Sequence, residues 1–275
     1  MAWISVDEAR CTRCSACVEA CPLGLLTLGR ALGGPTGYPG AEHDCIHCGH
    51  CVAICPQEAL SLRTQPLAAC QSLPDDWRGD AAALETLLRG RRSIRAFRDR
   101  PVSRQEIEAL LDIARYGPTG SNSQPASWLV ISDRALIHRT SEEVIAFMRQ
   151  RAAEAGGATG GLARILTLWE RGEDSICRGA PHMVLALEPS GSQGVSATIA
   201  LTYLEIAAAS RGIGTCWDGF VSWAAGAWPA LRDLWALPPD RDVCGAMMLG
   251  YARHRYHRVP LRNPADVSWR EGVAS

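Results

Sequence analysis

The sequence contains no lysine, only three phenylalanines and no long apolar run. All 28 basic residues are arginine, so no lysine can serve as a Schiff base or a general base. No stretch approaches the roughly 18 apolar residues of a membrane span, and "MAWISVDEAR" lacks the regions of a signal peptide. A net charge of −1 favours neither nucleic acid nor a membrane surface as a partner. These absences predict a cytoplasmic protein.

Cysteine, in contrast, is abundant: the chain has 12, and eight of them lie in two runs. The first run is "CTRCSACVEACP", and "CIHCGHCVAICP" follows 34 residues later with its cysteines at the same offsets. Each run has the spacing C-x2-C-x2-C-x3-C-P, with which [4Fe–4S] clusters are ligated. A long chain with clustered cysteines and no export signal favours ligation over disulfides.

In proteins with two such runs, the fourth cysteine of each run ligates the cluster of the other run. The predicted ligands of the first [4Fe–4S] cluster are therefore Cys11, Cys14, Cys17 and Cys55. Those of the second cluster are Cys45, Cys48, Cys51 and Cys21. A pair of zinc sites is the alternative, although zinc requires neither the third cysteine nor the x3-C-P tail. The nearby histidines are expected to be solvated: His43, His47 and His50.

The first quarter of the chain resembles a known domain. Residues 1–63 resemble the bacterial two-[4Fe–4S] ferredoxin domain, with short strands expected in "GLLTLG" and "EALSLR". Residues 64–84 are predicted to form a linker or wrapping segment, because the stretch has two prolines and no clear period. Leu67, Leu73 and Trp77 indicate that this segment packs on another part of the protein. Cys70 is expected to be a small buried residue.

An arginine-rich segment, "RRSIRAF", follows the short helical stretch "AAALETLLRG". Within five residues this segment places three guanidinium groups and one hydroxyl, which suit a phosphate dianion. These groups belong to Arg91, Arg92, Ser93 and Arg95. A solvated basic face is the alternative. Ser103 and Glu106 then predict a capping box at the start of a helix.

The next motif is the loop "GPTGSNSQP", whose glycines allow its backbone to approach a ligand closely. The side-chain amides of Asn122 and Gln124 can donate to and accept from the edge of a heterocycle. The strand "WLVIS" follows, and residues 142–179 are expected to be helical, then glycine-rich, then helical.

Four motifs in order resemble those of the nitroreductase family of FMN enzymes. They are "RRSIRAF", "PTGSNSQP", "SRGIGTCWDGF" (210–220) and "MLGYARHRYHRVPLR" (248–262). The resemblance covers residues 85 to about 270. It implies an α+β domain over residues 85–275, with a central, mostly antiparallel sheet flanked by helices. It also implies a homodimer with FMN at the subunit interface.

The resemblance assigns roles to individual residues. The predicted ligands of the FMN phosphate and ribityl chain are Arg91, Ser93, Arg95 and Arg262, with Arg92 and Arg258 as further candidates. The predicted contacts of the flavin ring, from the partner subunit, are Pro118, Thr119, Gly120, Asn122 and Gln124. Backbone groups of Asp218 and Gly219 are expected at the N5/O4 edge, where a donor stabilises reduced flavin. The substrate-pocket candidates are Trp169, Arg178, His182 and Trp217; no catalytic side chain is predicted.

The sequence departs from the family's motifs at two positions. Ala252 replaces the proline of the Gly-Tyr-Pro motif, and Ser127 stands where related fused proteins often carry histidine.

The segment 194–212 predicts a helix that is apolar on most faces and is therefore buried. Burial in a dimer interface and burial in the centre of a monomer both fit this pattern.

Together these features predict an iron–sulfur flavoprotein oxidoreductase. Electrons from a low-potential donor (ferredoxin, flavodoxin or a reductase) would pass two [4Fe–4S] clusters to FMN. The flavin would then reduce a small nitro, quinone or activated-alkene compound. One alternative is an FMN-dependent dehydrogenase that delivers substrate electrons to ferredoxin partners. Another is a non-enzymatic electron-transfer or flavin-binding module.

Overall fold

The structure, a computed structural model, describes residues 3–29, 33–270 and 272. The chain forms two units. The first comprises the residues up to Gly79 together with Gly117–Pro125, and the second comprises Asp80–Tyr116 and the residues from Ala126 onward. The outer limits of the two predicted domains, residues 1 and 275, lie outside the described residues. The predicted boundaries at 63 and 84 remain predictions.

The first unit consists of short elements. In chain order they are β1 (Ile4–Val6), α1 (Ala16–Glu19), β2 (Leu26–Leu28), β3 (Pro35–Gly37), α2 (Ala41–Asp44), α3 (His50–Ala53) and β4 (Leu60–Leu62). Strand β1 pairs antiparallel with β4, and β2 pairs antiparallel with β3.

The first unit repeats its backbone as well as its cysteines. Helices α1 and α3, and strands β2 and β4, begin 34 residues apart. Residues with a left-handed φ also recur at the 34-residue offset. The pairs are Arg13 and His47, Ser15 and Gly49, and Gly24 and Glu58. The cysteine spacing therefore repeats together with the turns that the chain needs to surround a compact group.

The segment after β4 only partly follows the sequence expectation. Leu67 packs against the core of the first unit, as expected. Leu73 and Trp77 are 69% and 54% exposed, so the prediction that they are packed is wrong for this chain. Cys70 is exposed, and its predicted burial is also wrong. Apart from the short 3-10 helix at Leu67–Ala69, the segment consists of turns and extended chain, and its residues after Leu67 are exposed.

The second unit contains the longer elements. They are α4 (Ala81–Gly90), α5 (Arg104–Ala114), β5 (Ser127–Ile131), α6 (Arg134–Glu154), α7 (Gly160–Glu170), β6 (His182–Pro189), α8 (Val195–Ser210), β7 (Ile213–Trp217), α9 (Gly219–Ala225), α10 (Pro229–Leu234) and β8 (Arg241–Tyr251). The predicted helical stretch at 81–90 and the helix–glycine–helix pattern before 179 are confirmed.

A four-stranded sheet in the order β5–β6–β8–β7 forms the centre of the second unit, and every pairing is antiparallel. Helices cover both faces. On β6, Met183 and Leu185 pack in one buried cluster with α6, α9 and α10, whereas Val184 and Ala186 pack in the other with α5 and α8. This alternation follows from the two-residue period of a strand. The predicted α+β fold class is confirmed.

Helix α5 begins as its sequence predicts. Ser103 and Glu106 form the capping box, and Val102 and Ile107 beside it are buried. Hydrogen bonds from Ser103 and from the Tyr251 hydroxyl, at 2.8 Å, lower the pKa of Glu106 to about 2. The capping carboxylate thus also ties α5 to the end of β8. In the described part of the chain, no helix is both long and apolar enough to cross a membrane.

Candidate electron-transfer and flavin site

Two cavities in the first unit are lined by cysteine. The four cysteines around one cavity are Cys11, Cys14, Cys17 and Cys55. Those around the other are Cys21, Cys45, Cys48 and Cys51. Each cavity therefore takes three thiols from one run and the fourth from the other run, as the spacing predicts.

The two sets of four cysteines fit the ligand requirement of [4Fe–4S] clusters. Among the described residues, no three His, Cys, Asp or Glu side chains converge closely enough to hold one metal ion. A structural zinc site would bring four ligands within about 2.3 Å of one centre. Four cysteines around one cavity, three from one run and one from the other, suit a [4Fe–4S] core, which carries one thiolate on each iron.

The surroundings of the thiols are partly apolar. Burial is the main cause that raises the pKa of Cys17, and it raises the pKa of Cys51 to about 11, with Cys48 nearby adding to the effect. Because metals bind the thiolate form, metal binding at these cysteines releases protons. Backbone amides also reach the fourth cysteines: Leu25 donates to Cys21 Sγ at 3.3 Å, and Ala59 donates to Cys55 Sγ at 3.2 Å. These two bonds again obey the 34-residue repeat.

In the second unit, the "RRSIRAF" segment is attached to the sheet. The Ile94 amide donates to the Thr215 carbonyl on β7 at 2.8 Å, and the Arg98 amide donates to the Tyr251 carbonyl on β8 at 2.8 Å. Gly214 permits this close approach, because a Cβ there would lie 2.6 Å from Ile94 Cγ1. The glycine-rich turn and the arginine-rich segment are therefore parts of one site.

A cleft of about 220 Å³ opens between these two segments. Its lining includes Arg91, Arg92, Gly212, Gly214 and His254. Two cationic side chains beside closely approachable backbone fit a phosphate group. The cleft therefore meets the chemical requirement of the predicted FMN phosphate site.

Arg91 has a buried partner that sequence reasoning missed. Its Nη1 lies 3.0 Å from Oε1 of Glu205, whose side chain is only 7% exposed. The Trp217 indole donates to the other oxygen of the same carboxylate at 3.3 Å. This pairing compensates the buried charge and orients the guanidinium. The available signal was a single carboxylate in the otherwise apolar helix α8.

The other predicted phosphate ligands lie in two places. Ser93 and Arg95 are near the buried Cys216 thiol. Burial is the main cause that raises the pKa of this thiol, and the positive charge of Arg95 lowers it in part. Arg258 and Arg262 lie in the exposed C-terminal segment and do not line the cleft. The structure therefore groups the arginines near position 91 with the glycine-rich turn, but not with the C-terminal pair.

Asp218 lies where the resemblance places the N5 edge of the flavin, at the start of α9. Its Oδ1 accepts from the Val221 amide at 3.1 Å, while Oδ2 is buried and has no hydrogen-bond partner among the described residues. Burial is the main cause that raises the pKa of this carboxyl to about 7. Gly219 beside it is exposed. Asp218 can therefore take up or release a proton near neutral pH.

The loop "GPTGSNSQP" belongs to the first unit by its contacts. The Asn122 side-chain amide donates to the carbonyls of Ile46 and His47, between two cysteines of the second run. The remaining predicted ring contacts lie in the same loop: Pro118, Thr119, Gly120 and Gln124. Sequence reasoning did not predict the contact with the cysteine run, and no motif encodes it.

Two of the pocket candidates are packing residues. His182 is buried; its Nε2 accepts from the Val102 amide and its Nδ1 lies 2.9 Å from Ser132 Oγ. Burial lowers its pKa, so the ring is neutral and structural. Trp169 packs against a core cluster and stacks on His138 with ring centroids 5.6 Å apart.

Comparison with known families identifies both parts of the chain. Residues 88–251 match the model of the nitroreductase family, and residues 10–60 match the model of the 4Fe-4S dicluster domain. Because the first match spans more than half of the chain, the chain belongs to the nitroreductase family. It is thus an oxidoreductase-family protein that carries an additional dicluster ferredoxin domain, and the predicted family and domain combination are confirmed.

Relatives with similar sequences are themselves nitroreductases. The chain is 30% identical over 173 residues to nitroreductase NfnB of Mycolicibacterium smegmatis, covering 53% of this chain and 74% of the relative. It is 29% identical over 202 residues to the nitrobenzene nitroreductase of Ectopseudomonas oleovorans, covering 62% and 86%.

Solved structures show the same fold. A nitroreductase with bound FMN from Bacteroides fragilis aligns with a TM-score of 0.56 at 18% identity, covering 68% of this chain and 98% of the other. An iodotyrosine deiodinase bound to FMN and 3-iodo-L-tyrosine aligns with a TM-score of 0.53 at 19% identity, covering 68% and 99%. At these identities the alignments establish the fold alone.

Proposed function

We propose that this protein is an iron–sulfur flavoprotein reductase. Electrons enter from a low-potential donor such as a ferredoxin, a flavodoxin or a reductase, and they reach FMN through two [4Fe–4S] clusters. The acceptor is a small nitro, quinone or activated-alkene compound. The observation that carries the proposal is the presence, on one chain, of two four-cysteine cavities and a nitroreductase-family unit.

The ligand sets follow the two cavities. The first cluster is held by Cys11, Cys14, Cys17 and Cys55, and the second by Cys21, Cys45, Cys48 and Cys51. The amides of Leu25 and Ala59 support the fourth cysteine of each run, because hydrogen bonds to a ligating sulfur stabilise its negative charge.

The FMN phosphate is proposed to bind in the cleft beside the glycine-rich turn. Arg91, oriented by Glu205, and Arg92 supply positive charge there, and Ser93 and Arg95 lie next to them in the chain. Arg258 and Arg262 reach the same phosphate only if the exposed C-terminal segment folds back. The flavin ring is proposed to contact the backbone of Asp218 and Gly219 and, from the partner subunit, the loop 118–124.

When bound, the clusters transfer single electrons, and the flavin converts them into two-electron reduction of the acceptor. The residues of this chain bind, orient and protonate. Arg91 fixes the phosphate end, and Gly219 leaves room for the ring. Asp218, with one oxygen free and a pKa of about 7, can hold the proton that a two-electron reduction consumes.

A homodimer is part of the proposal. Several large apolar side chains of the second unit are exposed: Tyr116 by 66%, Val195 by 55%, Tyr203 by 39% and Trp223 by 46%. We propose that side chains of this set lie in the subunit interface, because the centre of a homodimer interface is rich in apolar and aromatic side chains. Light scattering on the purified protein should give twice the chain mass, and a monomer would contradict this part.

Two alternatives remain in competition. A dehydrogenase that sends substrate electrons to ferredoxin partners would use the same clusters and flavin, but its electrons would move in the opposite direction. The reduction potentials of the clusters and the flavin distinguish it from the proposed reductase. A non-enzymatic electron-transfer or flavin-binding module predicts no turnover with any acceptor. An anaerobic screen of donors against nitro, quinone and alkene acceptors separates all three.

The first test is composition. The reconstituted protein should contain about eight iron, about eight acid-labile sulfide and one FMN per chain. Zinc without sulfide would refute the cluster assignment. Cys48→Ala should abolish acceptor reduction by a ferredoxin-type donor, whereas Cys70→Ala, a change of an exposed cysteine outside both cavities, should retain it. Equal rates in the two variants would refute the proposed route of entry.

The second test concerns the phosphate site. The double variant Arg91→Gln with Glu205→Gln removes the cation without leaving a buried carboxylate unpaired. It should lose FMN and keep its iron. Arg104→Gln, at a side chain that is 92% exposed, is the matched control. Normal flavin content in the double variant would contradict the assignment.

A further inference from the structure

One side chain outside the cysteine runs holds the loop of the second cluster site. The Asn122 amide nitrogen lies 3.0 Å from the Ile46 carbonyl oxygen and 3.1 Å from the His47 carbonyl oxygen. These two carbonyls lie between the cavity-lining residues Cys45 and Cys48. Gln65 adds a longer bond to the His47 carbonyl, at 3.4 Å.

The backbone that presents Asn122 is strained. Ser121, Asn122 and Gln124 have φ values of 50°, 54° and 46°. A left-handed conformation is unfavourable for a non-glycine residue, and asparagine tolerates it better than most. Bonds from the Asn122 amide to the Thr119 carbonyl and from the Gln124 amide to Thr119 Oγ1, both at 3.2 Å, close the turn. Strain of this kind persists where the surrounding structure requires one particular orientation.

The two bonds determine which way the peptide groups of the loop face. All described peptide bonds are trans, so the N–H of each residue points opposite to the carbonyl of the residue before it. Carbonyls 46 and 47 are turned toward Asn122, and the amides of His47 and Cys48 are therefore turned away from it. In the described part of the chain, neither amide donates to a protein acceptor. Amides of this kind are available to a cluster, whose potential depends on hydrogen bonds to its sulfurs.

The corresponding loop of the first site is held by a different device. Thr12 and Arg13 are the equivalents of Ile46 and His47 at the 34-residue offset. The Arg13 guanidinium donates to the Gly33 carbonyl and, at 2.7 Å, to the Gly29 carbonyl. The first loop is thus fixed by its own side chain, whereas the second depends on a residue about 75 positions away.

We propose that Asn122 is a positioning residue of the second cluster site and makes the two clusters inequivalent. By holding carbonyls 46 and 47 toward its own side chain, it leaves the amides of His47 and Cys48 able to donate to the cluster and raises that cluster's reduction potential. A donor on the carbonyl also polarises the peptide and strengthens its N–H. This inference rests on the proposed function, because it requires [4Fe–4S] clusters in both cavities.

The test is an anaerobic redox titration of the full-length holoprotein, followed by electron paramagnetic resonance. Asn122→Gly removes the side-chain donor, and glycine adopts a φ of 54° without strain. Ser121→Gly is the matched control, because Ser121 is an exposed neighbour with a φ of 50°. Cys14→Ser and Cys48→Ser assign each signal to the first or the second site.

In Asn122→Gly, we expect the second cluster to titrate at a more negative potential and the first to titrate as in the wild type. Ser121→Gly should leave both potentials unchanged. Unchanged potentials in Asn122→Gly would overturn the inference, and so would equal shifts of both clusters. If iron is lost instead, Asn122→Ser keeps a shorter donor and should restore iron and part of the potential; failure of this rescue also counts against the inference.

The wild-type iron content separates this inference from the proposed function. If the wild type holds about eight iron and the Asn122→Gly titration is unchanged, only the role of Asn122 is wrong. If the wild type holds no iron–sulfur clusters, the proposed function itself fails.

Discussion

The two units of this protein hold their chains together by different means. In the described part of the first unit, the cluster of buried apolar side chains is small (Leu26, Val52, Leu60 and Leu62), and cluster-site cysteines pack directly against it. In the second, two large clusters of buried side chains cover both faces of one sheet. A core as small as that of the first unit is marginal by itself, so we expect bound metal to contribute much of its stability. Repeated cysteine spacing thus replaces apolar packing in the first unit.

Metal removal should give the largest effect. Chelation of iron is expected to abolish hydrogen-exchange protection across β1, β4 and both cysteine runs, because the remaining core is too small to compensate. The amides of β6 should stay protected and serve as an internal control. Mass spectrometry of exchanged peptides measures both. Unchanged protection of the first unit after iron loss would remove the proposed difference between the units.

A core truncation in the second unit comes next. Leu185→Ala, at a fully buried position in β6, should lower the free energy of unfolding by roughly 2–5 kcal/mol. Leu261→Ala, at a side chain that is 99% exposed, is the matched control and should change it by less than about 0.5 kcal/mol. Urea unfolding followed by tryptophan fluorescence provides the measurement. A comparably small loss in both variants would show that the second unit does not depend on its core.

A third prediction concerns the buried acid of the second unit. The folded state raises the pKa of Asp218 to about 7 through burial, so it keeps a proton that the unfolded chain has released above a pH of about 4. The free energy of unfolding should therefore fall as the pH rises from about 4 to about 7, by on the order of a few kcal/mol.

Asp218→Asn should flatten this dependence while keeping the bond to the Val221 amide through its oxygen. Denaturation at several pH values measures the slope. Asp133→Asn, at the exposed cap of α6, controls for the loss of a carboxylate at a helix start. A wild-type slope in Asp218→Asn would show that another group causes the dependence.

The smallest effects should come from the backbone of the first unit. Ser15 and Gly49 occupy equivalent positions with φ values of 67° and 73°. Gly49→Ser should destabilise the loaded unit by roughly 1 kcal/mol, because a left-handed serine is strained. Ser15→Gly should stabilise the loaded unit slightly or leave its stability unchanged. Glycine relieves the strain of the folded backbone, but it also makes the unfolded chain more flexible, which offsets the gain. Thermal bleaching of the clusters reports both, and shifts of the same sign would contradict the equivalence.

Patterns that depend on neighbours in the chain were predictable. The capping box at Ser103, the helix at 81–90 and the paired short strands after each cysteine run all appear where the sequence indicated them. Such features depend on bonds within a few residues. The expected burial of Cys70 and Trp77 was wrong because burial requires a surface from elsewhere, which composition cannot reveal.

The contacts that the sequence did not reveal join distant positions. Glu205 pairs with Arg91 across 114 residues, and Asn122 reaches Ile46 across 76. Neither pair has a characteristic spacing. Their partners could be identified only when the strands and helices between them had been placed.

The sequence alone determined the α+β class and the family, and it predicted which cysteines share a cluster, because spacing and ordered motifs encode local geometry and chemistry. The tertiary structure alone decided which carboxylate orients Arg91 and why the two cluster loops are not alike. It did so because long-range hydrogen bonds depend on where folded segments meet, and the order of residues in the chain does not specify that directly.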